Sequence, residues 1–302
     1  MKKRSGFIFL VILIYLVISG CTQIPGNISS NFKIPGQKVI TESKGLTIQF
    51  KEGQPPLDVI YAGKTFNVKL DIINKDLTEI SGSITLSDTP SDEYSTLKGK
   101  EEQSFSLQPA EQIENRIIPS KETVSFGPFS YEESKVFKGM FTNFITEIIT
   151  NHKNQLTAQI CINSASSDQL KCQNKETLTN LGNQAKYSPV TITKIEKTVI
   201  PQEEDLLNLN LKIYIKNTAK GIINNEDQSI ESFNVDMQGA SNFDCTSSKK
   251  ISLKEGEKII YCNGDITLSD QVFIQNILEI SYEYPYKIIE TLGPIKVEKL
   301  EI

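Results

Sequence analysis

The segment Leu206–Asn217 alternates without a break. Leu207, Leu209, Leu211, Ile213 and Ile215 fall on one side; Asn208, Asn210, Lys212, Tyr214 and Lys216 fall on the other. Successive side chains of an extended strand point to opposite faces, so a period of two over this length dictates a strand with one face buried. "TFNVKLDIIN" repeats the pattern, with Phe66, Val68, Leu70 and Ile72 inward. "ITLSD", "QSFSLQP" and "ETVSFGPFSY" follow at short spacing; "ESFNVDM", "EKIIYC" and "VFIQNILEISYEY" come later. No helix-period run of convincing length occurs after residue 150. Short strands in series with turn residues between them make the chain all-β and suggest sandwiches.

Residues 131–153 are the least legible. Phe137, Phe141, Phe144 and Ile148 sit at helical spacing. The β-branched content and the polar "NHKN" favour instead a hairpin over 144–162, preceded by one helical turn. Residues 163–189 are polar and read as a loop that closes a first domain.

The two halves echo each other. "GLTIQF", a Pro-containing loop and "FNVKLDIIN" parallel "VTITKI", a Pro-containing loop and "LNLNLKIYIKN". Each long strand ends in an asparagine, Asn74 or Asn217, a residue suited to the turn backbone that follows. The expected division is 1–20, 21–44, 45–187 and 188–302: an export segment, a tether and two sandwich domains.

The export segment has three parts. Lys2, Lys3 and Arg4 precede twelve apolar residues, Phe7 to Ile18, and Ser19-Gly20-Cys21 follows. A charged start, a short apolar core and a small-residue exit make a signal sequence. Twelve residues fall short of the roughly 20 that cross a bilayer as a helix. Val17-Ile18-Ser19-Gly20-Cys21 resembles a lipobox, which implies cleavage before Cys21 and lipid on its sulfur. The alternatives are a retained signal anchor or an ordinary cleaved signal. Lys3-Arg4-Ser5-Gly6-Phe7 also looks like a type IV pilin cleavage site, but Val11 stands where pilins carry Glu. Residues 22–44, broken by Pro25, Gly26, Pro35 and Gly36, read as the tether. It holds Asn27-Ile28-Ser29, a candidate glycosylation site at Asn27.

Cysteine usage agrees with export. With Cys21 assigned to lipid, Cys161, Cys172, Cys245 and Cys262 remain. Four cysteines allow three pairings. Cys161–Cys172 and Cys245–Cys262 are favoured, because each would brace one local hairpin. Formal charge is −5; without the three basic residues of the signal, 29 basic face 37 acidic, or −8. That excludes the basic stripe of a nucleic-acid binder.

The layout of lipobox, two modules, a loop disulfide and a hairpin disulfide resembles uncharacterised archaeal surface lipoproteins with tandem immunoglobulin-like domains. "SPVTITKIEKTVIP" and "LEISYEYPYKIIETLGPIKVEK" carry that resemblance. It implies two immunoglobulin-like β-sandwiches and no reaction. It departs from antibody domains in having no Trp and no long-range cysteine pair.

Little in the chain suggests catalysis. His152 is the single histidine, in a string that reads as a solvated turn. No phosphate-cradling glycine motif occurs. Ser-x-x-Lys appears at Ser30–Lys33, Ser95–Lys98 and Ser247–Lys250, as expected by chance in a Ser- and Lys-rich chain. Asp88, Asp92 and Glu93, then Glu203, Glu204 and Asp205, then Glu226 and Asp227 are weak calcium candidates without EF-hand order. Tyr282, Tyr284 and Tyr286 fall on one face of a strand, a candidate binding surface if exposed and rim packing if not.

The sequence therefore leads to a lipid-anchored, extracytoplasmic membrane protein that binds a protein or glycan partner, adheres, or braces the envelope. It needs no cofactor or metal. The alternatives are an exported hydrolase with an unrecognised site and an accessory subunit of a membrane surface complex.

Overall fold

The computed structural model describes residues 40–300, apart from 43, 91–93, 98–100, 115, 165–171, 180, 182–186, 204–205, 247–249 and 269–272. Residues 1–39, with Cys21 and Asn27, lie outside the described residues. Every named element among the described residues is a strand.

In chain order the strands are β1 (Ile40–Glu42), β2 (Leu46–Phe50), β3 (Val59–Tyr61), β4 (Phe66–Asn74), β5 (Ile80–Thr89), β6 (Glu101–Leu107) and β7 (Glu111–Ile113). Then come β8 (Arg116–Ile118), β9 (Ser120–Phe129), β10 (Met140–Asn163), β11 (Lys175–Leu178), β12 (Val190–Pro201), β13 (Leu206–Asn217) and β14 (Ile222–Ile223). The last are β15 (Ser229–Ile230), β16 (Ser232–Met237), β17 (Ala240–Thr246), β18 (Ile251–Ser252), β19 (Lys258–Thr267) and β20 (Phe273–Glu298).

They form three main sheets, ordered β1-β2-β4-β9, β14-β20-β10-β5-β6 and β11-β12-β13-β19-β17. β16 and β3 also pair with β20. The axis of the molecule is the antiparallel pair β10–β20, which runs from Met140 opposite Val297 to Asn163 opposite Phe273. At about 3.3 Å per residue this ribbon is about 80 Å long. β10 faces inward at every second residue: Phe144, Ile148, His152, Leu156 and Ile160 are all buried.

The ribbon changes neighbours at its middle. Along Asn143–Asn151, β10 pairs with β5, and Phe144 meets Phe66 of β4 with ring centroids 5.8 Å apart. Beyond that point the interior contacts come from β12, for example the Tyr282 hydroxyl donating to the Val190 carbonyl at 2.9 Å. One face of the ribbon thus packs first on the β1-β2-β4-β9 sheet and then on the β11-β12-β13-β19-β17 sheet, as in a β-sandwich.

Two expectations need correction. The hairpin over 144–162 is absent: β10 passes through "NHKN" as one 24-residue strand. His152 and Asn154 point inward while Asn151 and Lys153 point outward, so the polar string keeps the alternation. It looks like a turn because the interior it faces is itself polar. The 163–189 loop contains the edge strand β11, paired with β12 from Lys175–Thr198 to Leu178–Ile195.

Pro285 sits in the middle of β20 without breaking it. The Asn224 N–H donates to the Pro285 carbonyl at 2.9 Å, so the backbone groups of Pro285 face away from β10. There the neighbouring strand changes from β16, which begins opposite Glu283, to β14, which ends opposite Tyr286. The missing donor falls in that gap.

The echo between the halves is structural. β2 pairs with β4 with Leu46 opposite Asn74, and β12 with β13 with Val190 opposite Asn217. The Asn74 amide donates to the Thr78 carbonyl while its oxygen accepts the Asp76 N–H. Asn217 does the same with Gly221 and Ala219. Lys75 N–H donates to the Gly45 carbonyl and Thr218 N–H to the Pro189 carbonyl, both at 2.8 Å. The two copies abut: a Cβ on Gly45, whose φ is +80°, would lie 3.0 Å from the Tyr187 carbonyl oxygen.

Candidate functional site

Among the described residues, polar side chains gather in the interior at mid-ribbon and at the surface beside β11. The Tyr284 hydroxyl is 2.8 Å from Ser188 Oγ and accepts the Val190 N–H at 3.1 Å. Asn154 Nδ2 donates to Ser188 Oγ at 2.7 Å, and the Tyr286 hydroxyl donates to Asn217 Oδ1 at 3.1 Å. These bonds tie the ribbon to the start of β12 and the end of β13. Tyr282, Tyr284 and Tyr286 are therefore interior struts with 2%, 2% and 0% exposure, not an open row. Burial raises the proton affinity of all three, that of Tyr286 to about 12.

His152 belongs to this cluster. Its ring stacks on Tyr284 at 5.3 Å and meets Tyr286 edge-on at 5.8 Å. Nε2 is 3.0 Å from Thr150 Oγ1, and Nδ1 is buried without a hydrogen-bond partner. Desolvation pushes its pKa down to about 4, so the imidazole is neutral near pH 7. The solvated turn expected for it is overturned. A ring sealed among tyrosines cannot exchange protons with a substrate. Asp76 follows Asn74 in the adjoining turn; it is buried, with its pKa raised to about 6 by desolvation.

The surface place is an open cleft of about 570 Å³ on the β11-β12-β13 edge of the third sheet. Lys175, Glu176, Lys197, Thr198, Asn210 and Lys212 line it. A second depression of about 800 Å³ adjoins it at Lys175 and Glu176 and reaches the Cys161–Cys172 disulfide. Lys197 points inward from β12 between Ile195 and Val199. Its ammonium is fully buried and donates to the Cys161 carbonyl at 2.6 Å and Glu176 Oε2 at 3.0 Å. A buried charge needs such partners. No sequence pattern marks this cleft, because β11 hides in a polar loop and Lys197 reads as one more surface lysine.

The other candidates fall as follows. Both disulfides form, Cys161–Cys172 and Cys245–Cys262. The second joins directly opposed residues of β17 and β19. Asp88 is buried, with the Tyr131 hydroxyl donating to its Oδ2 at 2.8 Å. Asp227 pairs with Lys250. Glu203 and Glu226 lie on the described surface, whereas Asp92, Glu93, Glu204 and Asp205 lie outside the described residues. Of the Ser-x-x-Lys pairs, Ser95 is buried and Lys98, Ser247, Ser30 and Lys33 lie outside the described residues. Among the described residues no group of three or more His, Cys, Asp or Glu could hold a metal ion. No helix among them is long and apolar enough to cross a membrane. Compared with known proteins, the chain matches no family model and no curated protein.

Proposed function

We propose that this chain is a lipid-anchored protein on the extracytoplasmic side of the cell membrane, acting without catalysis as a stiff arm that holds a protein or glycan partner or braces the envelope. The observation that carries the reading is the β10–β20 ribbon, paired along both halves of the molecule with one register shift, between Thr142 and Phe144 near its end. A hinge between two domains requires a linker free to change its backbone angles. Here the crossing is made by two hydrogen-bonded strands, with hydroxyl and amide bonds fixing their middle.

On this reading the arm consists of two immunoglobulin-like sandwiches, contributed by 45–187 and 188–302, that exchange strand halves. The His152–Asn163 half of β10 crosses to the second sandwich, and the Pro285–Glu298 half of β20 crosses back to the first. The signal-like start, the lipobox-like Cys21 and two disulfides support an exported address together. The sealed position of His152 supports a non-catalytic role.

The address is tested by extracting the chain from its native membrane and measuring its intact mass, with thiol labelling before and after reduction. The expected product starts at Cys21, is heavier than the peptide by lipid, and exposes four thiols only on reduction. A chain starting at Met1 with labelled thiols in its native state would overturn the lipid anchor and the exported address together.

A further inference from the structure

The cleft lined by β11, β12 and β13 carries a chemistry that the scaffold does not require. Its walls are polar side chains whose apolar surface is limited to aliphatic stems, unlike the usual small-molecule site lined by hydrophobic and aromatic residues. Its carboxylates are occupied from within the protein: Glu176 accepts from Lys197, and Glu196 from Lys194. Lys175 and Lys212 line the same cleft, and among the described residues neither forms an ion pair. Lys212 does feel the Glu196 carboxylate electrostatically. Two cations facing one recess run against a chain of formal charge −5. They make the recess a local attractor for negative charge.

The neutral groups narrow the ligand further. Thr177, Thr198, Asn210 and Gln173 each offer donors and acceptors together, which suits hydroxyl groups. No arginine lines the cleft, so an anion there is held by lysine point charges rather than by a planar fork. The wall is also held in place. The fully buried Lys197 ammonium joins Glu176 of β11 to the Cys161 carbonyl at the end of β10, beside the Cys161–Cys172 bridge. Such preorganisation lowers the cost of binding.

We propose that this cleft binds a carboxylate-bearing sugar. The carboxylate lies across Lys175 and Lys212, and the ring hydroxyls bond to the threonine hydroxyls and the amides of Asn210 and Gln173. The proposal rests on the binding-arm reading for its setting: β12 carries Glu196–Thr198 about 25 Å beyond Val190, away from the half that holds Ile40.

The test uses the full chain in detergent micelles, titrated separately with glucuronate, glucose and a glucuronate-containing oligosaccharide, followed by amide chemical shifts and calorimetry. Glucuronate is expected to move the amides of 173–177 and 196–198, and to bind at least about tenfold more tightly than glucose. The double variant Lys175→Gln/Lys212→Gln, altered only at exposed side chains, is expected to lose about tenfold in glucuronate affinity with its melting temperature unchanged. Tighter binding of the oligosaccharide assigns a polymeric source, and equal binding assigns the free acid. Equal affinity for glucose and glucuronate, silent cleft amides at saturation, or unchanged affinity in the double variant would each overturn the proposal. Failure here leaves the Cys21 address standing, because that rests on mass and thiol labelling alone.

Discussion

His152 and Asp76 are both buried near mid-ribbon, and both are held away from their ordinary protonation by desolvation. The shifts pull stability in opposite directions. Asp76 has a folded pKa of about 6 against an ordinary 3.8. Its contribution is full below pH 3.8 and is lost as pH rises through 6. His152 has a folded pKa of about 4 against an ordinary 6.5. Its contribution is full above pH 6.5 and is lost as pH falls through 4. Between pH 4 and 6 the two slopes oppose each other, each reaching up to about 1.4 kcal/mol per pH unit. The groups facing His152 (Thr150, Tyr284 and Tyr286) are neutral there, as are Tyr282 and Tyr284 near Asp76. His152→Phe is expected to become less stable relative to the wild type as pH rises through this window, and Asp76→Asn more stable. Urea midpoints measured from pH 4 to 6 would show the difference; three parallel profiles would refute it. Tyr284→Phe at the same place removes the acceptor for the Val190 N–H and the partner of Ser188. It is expected to cost about 1–3 kcal/mol, read from the same urea midpoints, at a position where an exposed tyrosine would cost almost nothing.

β10 and β20 show where sequence patterns stop being sufficient. Alternation gave β4 and β13 directly, since their inward residues are uniformly apolar and nothing interrupts them. The Asn74 and Asn217 turns were legible because a short amide side chain at a strand end has few other uses. β10 was not legible as one strand. Its inward positions at 150, 152 and 154 are Thr, His and Asn, and only distant partners make those residues acceptable inside: the Tyr286 carbonyl and Tyr284 hydroxyl of β20, Ser188, and the Val190 carbonyl at the start of β12. That match is a tertiary fact, invisible in a window of ten residues. Pro285 depends on the same kind of fact, because the gap between β16 and β14 that accepts it is set by pairing across the sheet. The disulfides were readable from spacing, whereas the cleft depends on where an edge strand docks. Hydrogen exchange tests the single-strand description. The amides of Asn151, His152, Lys153 and Asn154 whose N–H groups face β20 are expected to exchange as slowly as their counterparts in Thr146–Thr150. Rapid exchange confined to 151–154 would restore the hairpin.

At the scale of the whole molecule, the shared ribbon decides how stability is distributed. Two domains joined by a flexible linker unfold separately, each with its own midpoint. In this chain, removing one half would strip β10 and β20 of half their inward cover and expose Ile148 and Tyr286 or Leu156 and Ile280, all now buried. The buried residues also form one continuous cluster across both halves. Unfolding is therefore expected to be a single transition, with the same midpoint at any residue probed. Leu86→Ala in β5 and Leu209→Ala in β13 each empty a fully buried site, at a cost of about 2–5 kcal/mol. Each variant is expected to lower the protection of the slowest amides in both halves by the same amount, because both halves open together. Residue-resolved hydrogen exchange distinguishes the cases. If Leu209→Ala weakened β12 and β13 while β4 and β9 kept their wild-type protection, the ribbon would be acting as a tether. A tether cannot transmit load between the halves, and the bracing role would fall with it. Loss of protection in both halves would mean that strain applied at either end is resisted by the core of both.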